Sequence, residues 1–445
     1  MNLYDIFKIS NGKILNGKLS EKKINSIKFD SKEVNKNDLF ICIKGVNKNG
    51  HDYVKDVEDS AICIIVSEDI KIKSNVLVIK VDNTIEFMNN LVLYIRKKYI
   101  NIPLIAITGS VGKTTTKELL KHILKEKYNI LVTKKNENNN FGVAKTFFDM
   151  KDNYNLIILE MGMNHLNEIK NLSSITLPNL CIITNIGSSH IGYLKNKKNI
   201  LKAKMEITEG LNNGILLLNN NDLMLKKVHK NKNNNIYGIN DFDISNVICT
   251  DNHLFFDIIY QNKKYNIKFN IPSIALIDNI LLTIKTSLIY GLDINYIIER
   301  ISSFKTLDGR NNIIKLKNNI VLVDDSYNSS YESIIAALNM IKNIKDKKII
   351  ILGDVLELGS KSKKIHKKIG KILKKYCREN NALVLTVGKY MYTASKVVKS
   401  KHFYNNDLLI KYINNLHLEN SCILLKASRR MHFEKIKDII IEKNS

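Results

Sequence analysis

The stretch that decides the fold is "LIAITGSVGKTTTKELLKHIL", residues 104–124. Five apolar or β-branched residues, Leu104 to Thr108, read as a buried strand. A glycine-containing turn follows, and Thr115 to Leu124 carries the apolar spacing of a helix. Strand, glycine turn and helix in that order place backbone amides and a helix N-terminus around one point. That arrangement suits an anion, and a phosphate above all. Gly109, Ser110, Val111, Gly112, Lys113, Thr114 and Thr115 form the candidate cradle. Lys113 is long enough to reach terminal phosphates, and the Thr114 hydroxyl can ligate Mg²⁺. The loop is a short Gly-x-x-Gly-Lys-Thr form, since Ile107 stands where the longer pattern has its first glycine. The competing reading, a glycine turn with an incidental lysine, leaves the three successive threonines unexplained.

Working outward, "LIILEM" (156–161), "LCIITN" (180–185) and "ILLLN" (215–219) are further short apolar runs, with helical patterns between the first ones. This is the mark of a parallel sheet with crossover helices. Alternating runs between about 235 and 270 predict an antiparallel addition, and 277–291 predicts a helix. The Asn/Lys tract at 230–235 reads as a surface loop. Upstream, residues 1–83 hold short strands such as "DLFICIKG", and 84–102 predicts a helix ending at Pro103. Downstream, "IVLVDD", "KIIILG", "ALVLTVG" and "CILLKA" alternate with helical stretches, as in a Rossmann-like doubly wound unit. The expected division is 1–83, 84–305 and 306–445, and 445 residues suffice for three cores.

The formal net charge of +26 invites a nucleic-acid reading. Only six of the 69 basic residues are arginine, and the lysines run along the whole chain among Asn and Ile. A dedicated polyanion site would be focused, so no nucleic-acid partner is expected. The six cysteines form no CxxC pair, as in a reducing compartment. No apolar run approaches a membrane span, and the N-terminus lacks a signal-peptide core. A cytoplasmic protein without membrane insertion is expected.

Ends of parallel strands line the ligand crevice. Glu160 ends one such run and could hold Mg²⁺, or simply be solvated. His190 follows another, after Gly and Ser residues that permit close approach. Lys204 reads on spacing alone as a surface helix lysine. Asp324 and Asp325 end "IVLVDD"; they could face a ribose or cap a helix. Arg310, in "LDGRNN", could bring a fixed cation to phosphates on domain closure.

Taken in order, these segments resemble the Mur ligase family over nearly the whole chain. The resemblance rests on "FDSKEVNKNDLFICIKGVNKNGHDYV", the phosphate loop, "TKKNENNNFGVAKTF", "ILEMGMNHLNEI", "TNIGSSHIGYL", "ILKAKMEI", "LDGRNNIIKL", "VLVDDSYNSS" and "ILGDVLELGSKSKKIH". It implies an α/β, three-domain architecture: a uridine-nucleotide domain, a central P-loop ATPase domain with a parallel sheet, and a C-terminal Rossmann-like domain. The Leu-Glu-Met-Gly and Gly-Asp-x-Leu-Glu-Leu-Gly runs favour the member that joins D-alanyl-D-alanine to UDP-N-acetylmuramoyl-tripeptide, using ATP, through an acyl phosphate. By the resemblance, Thr114 and Glu160 hold one Mg²⁺, and His190 and a carbamylated Lys204 help hold a second. Lys113, His190 and Lys204 are then the catalytic set. Asn279 contacts the adenine side, Arg310 and Asp325 reach ATP, and Ser31, Asn138, Asn139 and Thr146 surround the UDP-peptide. A monomer is expected.

Several positions depart from the family pattern. Ala275 and Leu276 replace a His-Asn pair, Lys32 an Arg, and Ala144 a Pro. Ser329-Ser330-Tyr331 replaces Ala-Asn-Pro, and Ala427 a Gly. The alternatives left open are another Mur-type or folylpolyglutamate-type ligase, a P-loop ATPase acting on nucleic acid, and an inactive scaffold.

Overall fold

The structure, a computed structural model, describes residues 1–230, 235–305, 309–344 and 347–444. Most of the 230–235 tract and the 305/306 boundary, with Leu307 and Asp308 of the Arg310 motif, lie outside or at the edge of the described residues.

In the N-terminal region α1 (Leu3–Ser10) precedes β1 (Lys13–Asn16), β2 (Ile27–Lys28) and β3 (Leu39–Ile41). Then come α2 (Val54–Val57), β4 (Cys63–Val66), β5 (Leu77–Lys80) and α3 (Thr84–Lys98). The sheet order is β1-β5-β4-β3-β2, with only β1 antiparallel. Asn83 caps α3, accepting from the N–H groups of Ile85 and Glu86.

The central region runs β6 (Leu104–Thr108), α4 (Lys113–Leu124), β7 (Ile130–Val132), α5 (Asn140–Phe148), β8 (Leu156–Glu160), α6 (Glu168–Thr176) and β9 (Leu180–Ile183). It continues with α7 (Ile191–Leu194), α8 (Lys197–Met205), β10 (Ile215–Leu218), α9 (Leu223–Lys230) and β11 (Ile236–Tyr237). All six strands are parallel, in the order β11-β10-β9-β6-β8-β7. Side chains of β6 alternate between two cores. Ile105 and Ile107 meet Leu119, Leu120 and Ile123 of α4 on one face, while Leu104 and Ala106 meet the layer of α3, α5 and α6 on the other. Burial on both faces is why these strands are continuous apolar runs. The same second core takes in Leu39, Ile41, Ile65 and Ile79 of the N-terminal sheet, so the two regions share packing.

The predicted antiparallel addition is β12 (Asp243–Cys249), β13 (Leu254–Tyr260) and β14 (Lys263–Phe269). The helices α10 (Ile277–Ile289) and α11 (Ile294–Ser302) then pack beside α4.

The C-terminal region comprises β15 (Asn312–Leu316), β16 (Ile320–Asp324), α12 (Tyr331–Ile341), β17 (Lys347–Gly353), α13 (Ser362–Glu379) and β18 (Ala382–Val387). It ends with α14 (Tyr392–Val398), β19 (Lys401–Phe403), α15 (Asn406–Asn414), β20 (Ser421–Lys426) and α16 (Glu434–Asn444). Helices cover both faces, α12–α14 on one and α15–α16 on the other. The strand order is β15-β16-β20-β17-β18-β19, with β15 antiparallel. The last strand thus inserts between β16 and β17, unlike the 3-2-1-4-5-6 order of the dinucleotide-binding fold. Insertion of β20 carries Ser428, Arg429 and Arg430 to the same sheet end as the residues after β16 and β17. Among the described residues, no helix is long and apolar enough to cross a membrane.

Candidate functional site

The chain leaves the C-terminal end of β6 through Gly109 (φ 154°) and enters α4 through Gly112 (φ 87°). A Cβ on Gly109 would lie 1.8 Å from Thr184 Oγ1, and one on Gly112 would lie 2.2 Å from Asn279 Nδ2. Space and backbone conformation therefore both demand glycine. Two loop amides differ from the inward-facing arrangement expected of the whole cradle. Ser110 and Val111 donate to the side chain of Asn185, at 3.2 and 2.9 Å. Asn185 also donates to Val111 O, and Thr184 Oγ1 donates to the same carbonyl. The opening N–H groups of α4 remain as the helix-end donors.

Lys113 is half-buried, with Nζ donating to Gly109 O at 2.7 Å. Burial lowers its amine pKa; Glu160 and Glu357 oppose the shift and Arg310 adds to it. Thr114 Oγ1 donates to Glu160 Oε2 at 2.7 Å, and Asn138 Nδ2 donates to Glu160 Oε1 at 2.9 Å. Glu160 thus joins the phosphate loop to the Asn-rich loop. The fully buried Lys117 donates to Thr133 O at 2.7 Å and stands 4.0 Å from Glu160 Oε2, bracing the same junction.

His190 adopts a left-handed backbone (φ 62°) at the start of α7. Its Nδ1 lies 2.8 Å from Glu357 Oε2, an ion-pair distance at an angle outside hydrogen-bond geometry. Burial lowers the His190 pKa and the carboxylate opposes that, while contact with His190 lowers the Glu357 pKa. Lys204 is 1% exposed in α8, so the surface-lysine reading of its spacing does not hold. Burial, and then the charge of Lys113, pull its pKa well below the usual lysine range.

The C-terminal region meets the loop across a cavity of about 210 Å³. Lys113, His190 and Ser110 line one wall, and Asn328, Ser329, Glu357, Arg429 and Arg430 the other. Gly192 N–H donates to Glu357 O at 3.1 Å, and Ser188 Oγ donates to Glu332 Oε2 at 2.7 Å, across the same seam. Arg310 stacks on Tyr327, its Cζ 4.1 Å from the ring centroid. Asp325 is engaged already: Lys426 Nζ lies 2.5 Å from its Oδ2, and Asn311 N–H donates to its Oδ1.

The remaining candidates are more dispersed. Asn279 donates to Thr116 Oγ1 at 3.0 Å and packs on Gly112, supporting the loop from α10. Asn139 caps α5, and the buried Thr146 hydroxyl donates to Gly142 O within that helix. Ser31 opens a 3-10 turn in the N-terminal region. Two residues later, Glu33 pairs with Lys145 of α5 at 3.6 Å, while Phe29 packs on Phe141 and Phe148. None of Asn185, Glu357, Ser329, Arg429 and Arg430 was a site candidate in the sequence, Ser329 being named there only as a departure from the family pattern. All five follow parallel strands within five residues, close to the positional signal that marked Glu160. Glu357 also sits inside the quoted "GDVLELG" run.

Among the described residues no three His, Cys, Asp or Glu side chains cluster as a metal site. A hydroxyl beside a single carboxylate, as at Thr114 and Glu160, is the donor set of a Mg²⁺ that takes its other ligands from phosphate and water. The residues present fit that ion.

Three family models match the chain: "Mur ligase family, catalytic domain" over residues 23–105, "Mur ligase middle domain" over 107–286, and "Mur ligase, glutamate ligase domain" over 309–429. The chain is 34% identical to the UDP-N-acetylmuramoyl-tripeptide–D-alanyl-D-alanine ligase of Rickettsia prowazekii, over 93% of this chain and 94% of that protein. It is 31% identical to the ligase of the same name from Buchnera aphidicola subsp. Baizongia pistaciae, over 94% and 92%. A crystal structure of MurF from Acinetobacter baumannii superposes with a TM-score of 0.91 at 23% identity, over 99% of this chain and 98% of that one.

Proposed function

The chain belongs to the Mur ligase family, and on that premise we propose that it joins D-alanyl-D-alanine to UDP-N-acetylmuramoyl-tripeptide at the expense of ATP. Its relatives over nearly their full length carry that name. The observation that carries the reading is the chain Thr114–Glu160–Asn138. It couples a phosphate cradle directly to the loop that would hold the peptide substrate. The assignment keeps the three units 1–83, 84–305 and 306–445.

A carboxylate resists attack by an amine because it is already anionic. Transfer of the ATP γ-phosphoryl to the terminal carboxylate oxygen of the tripeptide, with ADP leaving, makes it an acyl phosphate. Lys113 and the leading amides of α4 would stabilise charge moving onto the ADP oxygens. The free amine of D-alanyl-D-alanine then attacks the acyl carbon. The tetrahedral adduct loses a proton from nitrogen and expels phosphate, leaving an amide. Thr114 and Glu160 would hold Mg²⁺, which neutralises phosphate charge when bound. His190 would contribute to a second ion beside the carboxylate. Lys204 is suited to carbamylation: a buried amine with a lowered pKa is a neutral nucleophile for CO₂, and the product anion would offset the nearby Lys113. Arg429 and Arg430, with Arg310 on the Tyr327 ring that Arg429 also faces, would meet the phosphates as the C-terminal region closes and excludes water.

The test is phosphate release with ATP and UDP-N-acetylmuramoyl-tripeptide, first without and then with D-alanyl-D-alanine. Release that depends on both substrates, with pentapeptide detected by mass, is the expected result. Release stimulated instead by DNA or RNA would reject the ligase reading.

A further inference from the structure

Six serines line the cavity between the phosphate loop and the C-terminal region: Ser110, Ser188, Ser189, Ser329, Ser330 and Ser428. Five have protein partners for Oγ. Ser110 accepts from Gly187 N–H, Ser188 donates to Glu332, and Ser189 donates to Ser110 O. Ser330 caps α12 and Ser428 accepts from Leu356 N–H. Ser329 alone has no hydrogen-bond partner for Oγ among the described residues, although it is only 9% exposed. Its backbone is fixed, with N–H donating to Asn328 Oδ1 at 2.8 Å.

A hydroxyl in such a position is costly unless something meets it. The cavity wall says what that is. Lys113, Arg429 and Arg430 supply positive charge, and the one carboxylate among the lining side chains, Glu357, is engaged by His190. The occupant is therefore an anion with acceptor oxygens, to which a hydroxyl can only donate.

We propose that Ser329 is a polyphosphate-binding residue, its Oγ–H donating to a phosphate oxygen of the nucleotide held by Lys113. The inference rests on the cavity being the ATP site. Hydrogen bonds to charged acceptors are the strong class, so loss of this one should weaken binding about tenfold.

Calorimetric titration of full-length wild type, Ser329→Ala and Ser329→Cys with MgATP and with AMP decides the matter. Cysteine keeps the shape, is slightly larger and is a poor donor, so a space-filling role would survive in it and a hydrogen bond would not. The expected result is about tenfold weaker MgATP binding in both variants, with AMP affinity changed less than twofold. If Ser329→Ala does not fold, the cysteine variant answers alone. Wild-type MgATP affinity in a folded variant, or an equal loss for AMP, overturns the inference and leaves the ligase reading intact. Failure of wild type itself to bind MgATP removes the nucleotide reading, and Ser329 with it.

Discussion

Replacing Gly112 by alanine tests whether the loop is built as described. Gly112 has φ 87°, and an added Cβ would meet Asn279 Nδ2 at 2.2 Å, Cγ at 2.9 Å and Oδ1 at 3.0 Å. A left-handed backbone costs a non-glycine residue about 1–2 kcal/mol. Asn279 must also swing away, breaking its 3.0 Å bond to Thr116 Oγ1 and stranding a buried amide, at about 1–3 kcal/mol. Together the loss is roughly 2–5 kcal/mol. Spread over a unit of some 200 residues, that lowers Tm by roughly 4–20 °C. Scanning calorimetry of Gly112→Ala, Asn279→Ala and the double variant separates the two terms. The clash disappears once Asn279 is truncated, so the double variant should lose at least about 1 kcal/mol less than the sum of the singles. Additivity within about 0.5 kcal/mol, or a Gly112→Ala variant as stable as wild type, would refute the packing argument.

Three further outcomes are expected. Lys113→Ala should fold with wild-type circular dichroism yet lose ligation by at least about a hundredfold, as for loss of a main charge-stabilising donor; near-normal turnover would remove the loop chemistry. Lys204→Ala should lose activity and regain part of it with added formate or acetate. Full activity without any supplement would show that this buried amine plays no part. His366 is held neutral: its Nε2 accepts from Val355 N–H at 3.2 Å, its Nδ1 faces Ser362 O at 2.9 Å, and burial lowers its pKa. The unfolded chain takes up a proton near pH 6.5 and the folded one resists it, so stability contributed by this residue is present above that pH and lost as pH falls toward the lowered folded value. His366→Gln should flatten the corresponding acid limb of Tm against pH; an unchanged limb would place the titration elsewhere.

How much of this was legible in the sequence depends on whether a residue's partner is near in the chain or strictly set by topology. Leu104 to Leu124 could be read because strand, turn and helix are consecutive, and their alternation into two cores is written in the residue types. Glu160 could be placed because β8 neighbours β6 and both end on the same side. Lys204 could not. Its helix looks polar, and only the packing of α8 against α6 and α7 shows that its amine is enclosed. Asn185 takes two loop amides that local reasoning assigned to phosphate, because a side chain 74 residues away in sequence competes for them. Arg429 and Arg430 were hidden for a related reason. They reach the site only because β20 inserts between β16 and β17, and strand order is not encoded by the periodicity of any one strand. The same insertion explains why Asp325, read as facing a ribose or capping a helix, is paired instead: Lys426, buried at the end of β20, lands beside it. A charged residue at a strand end therefore signals a ligand only once its sheet neighbour is known. That is why Glu160, whose direct hydrogen-bond partners are a hydroxyl and an amide, remains the stronger ligand-facing candidate of the two carboxylates.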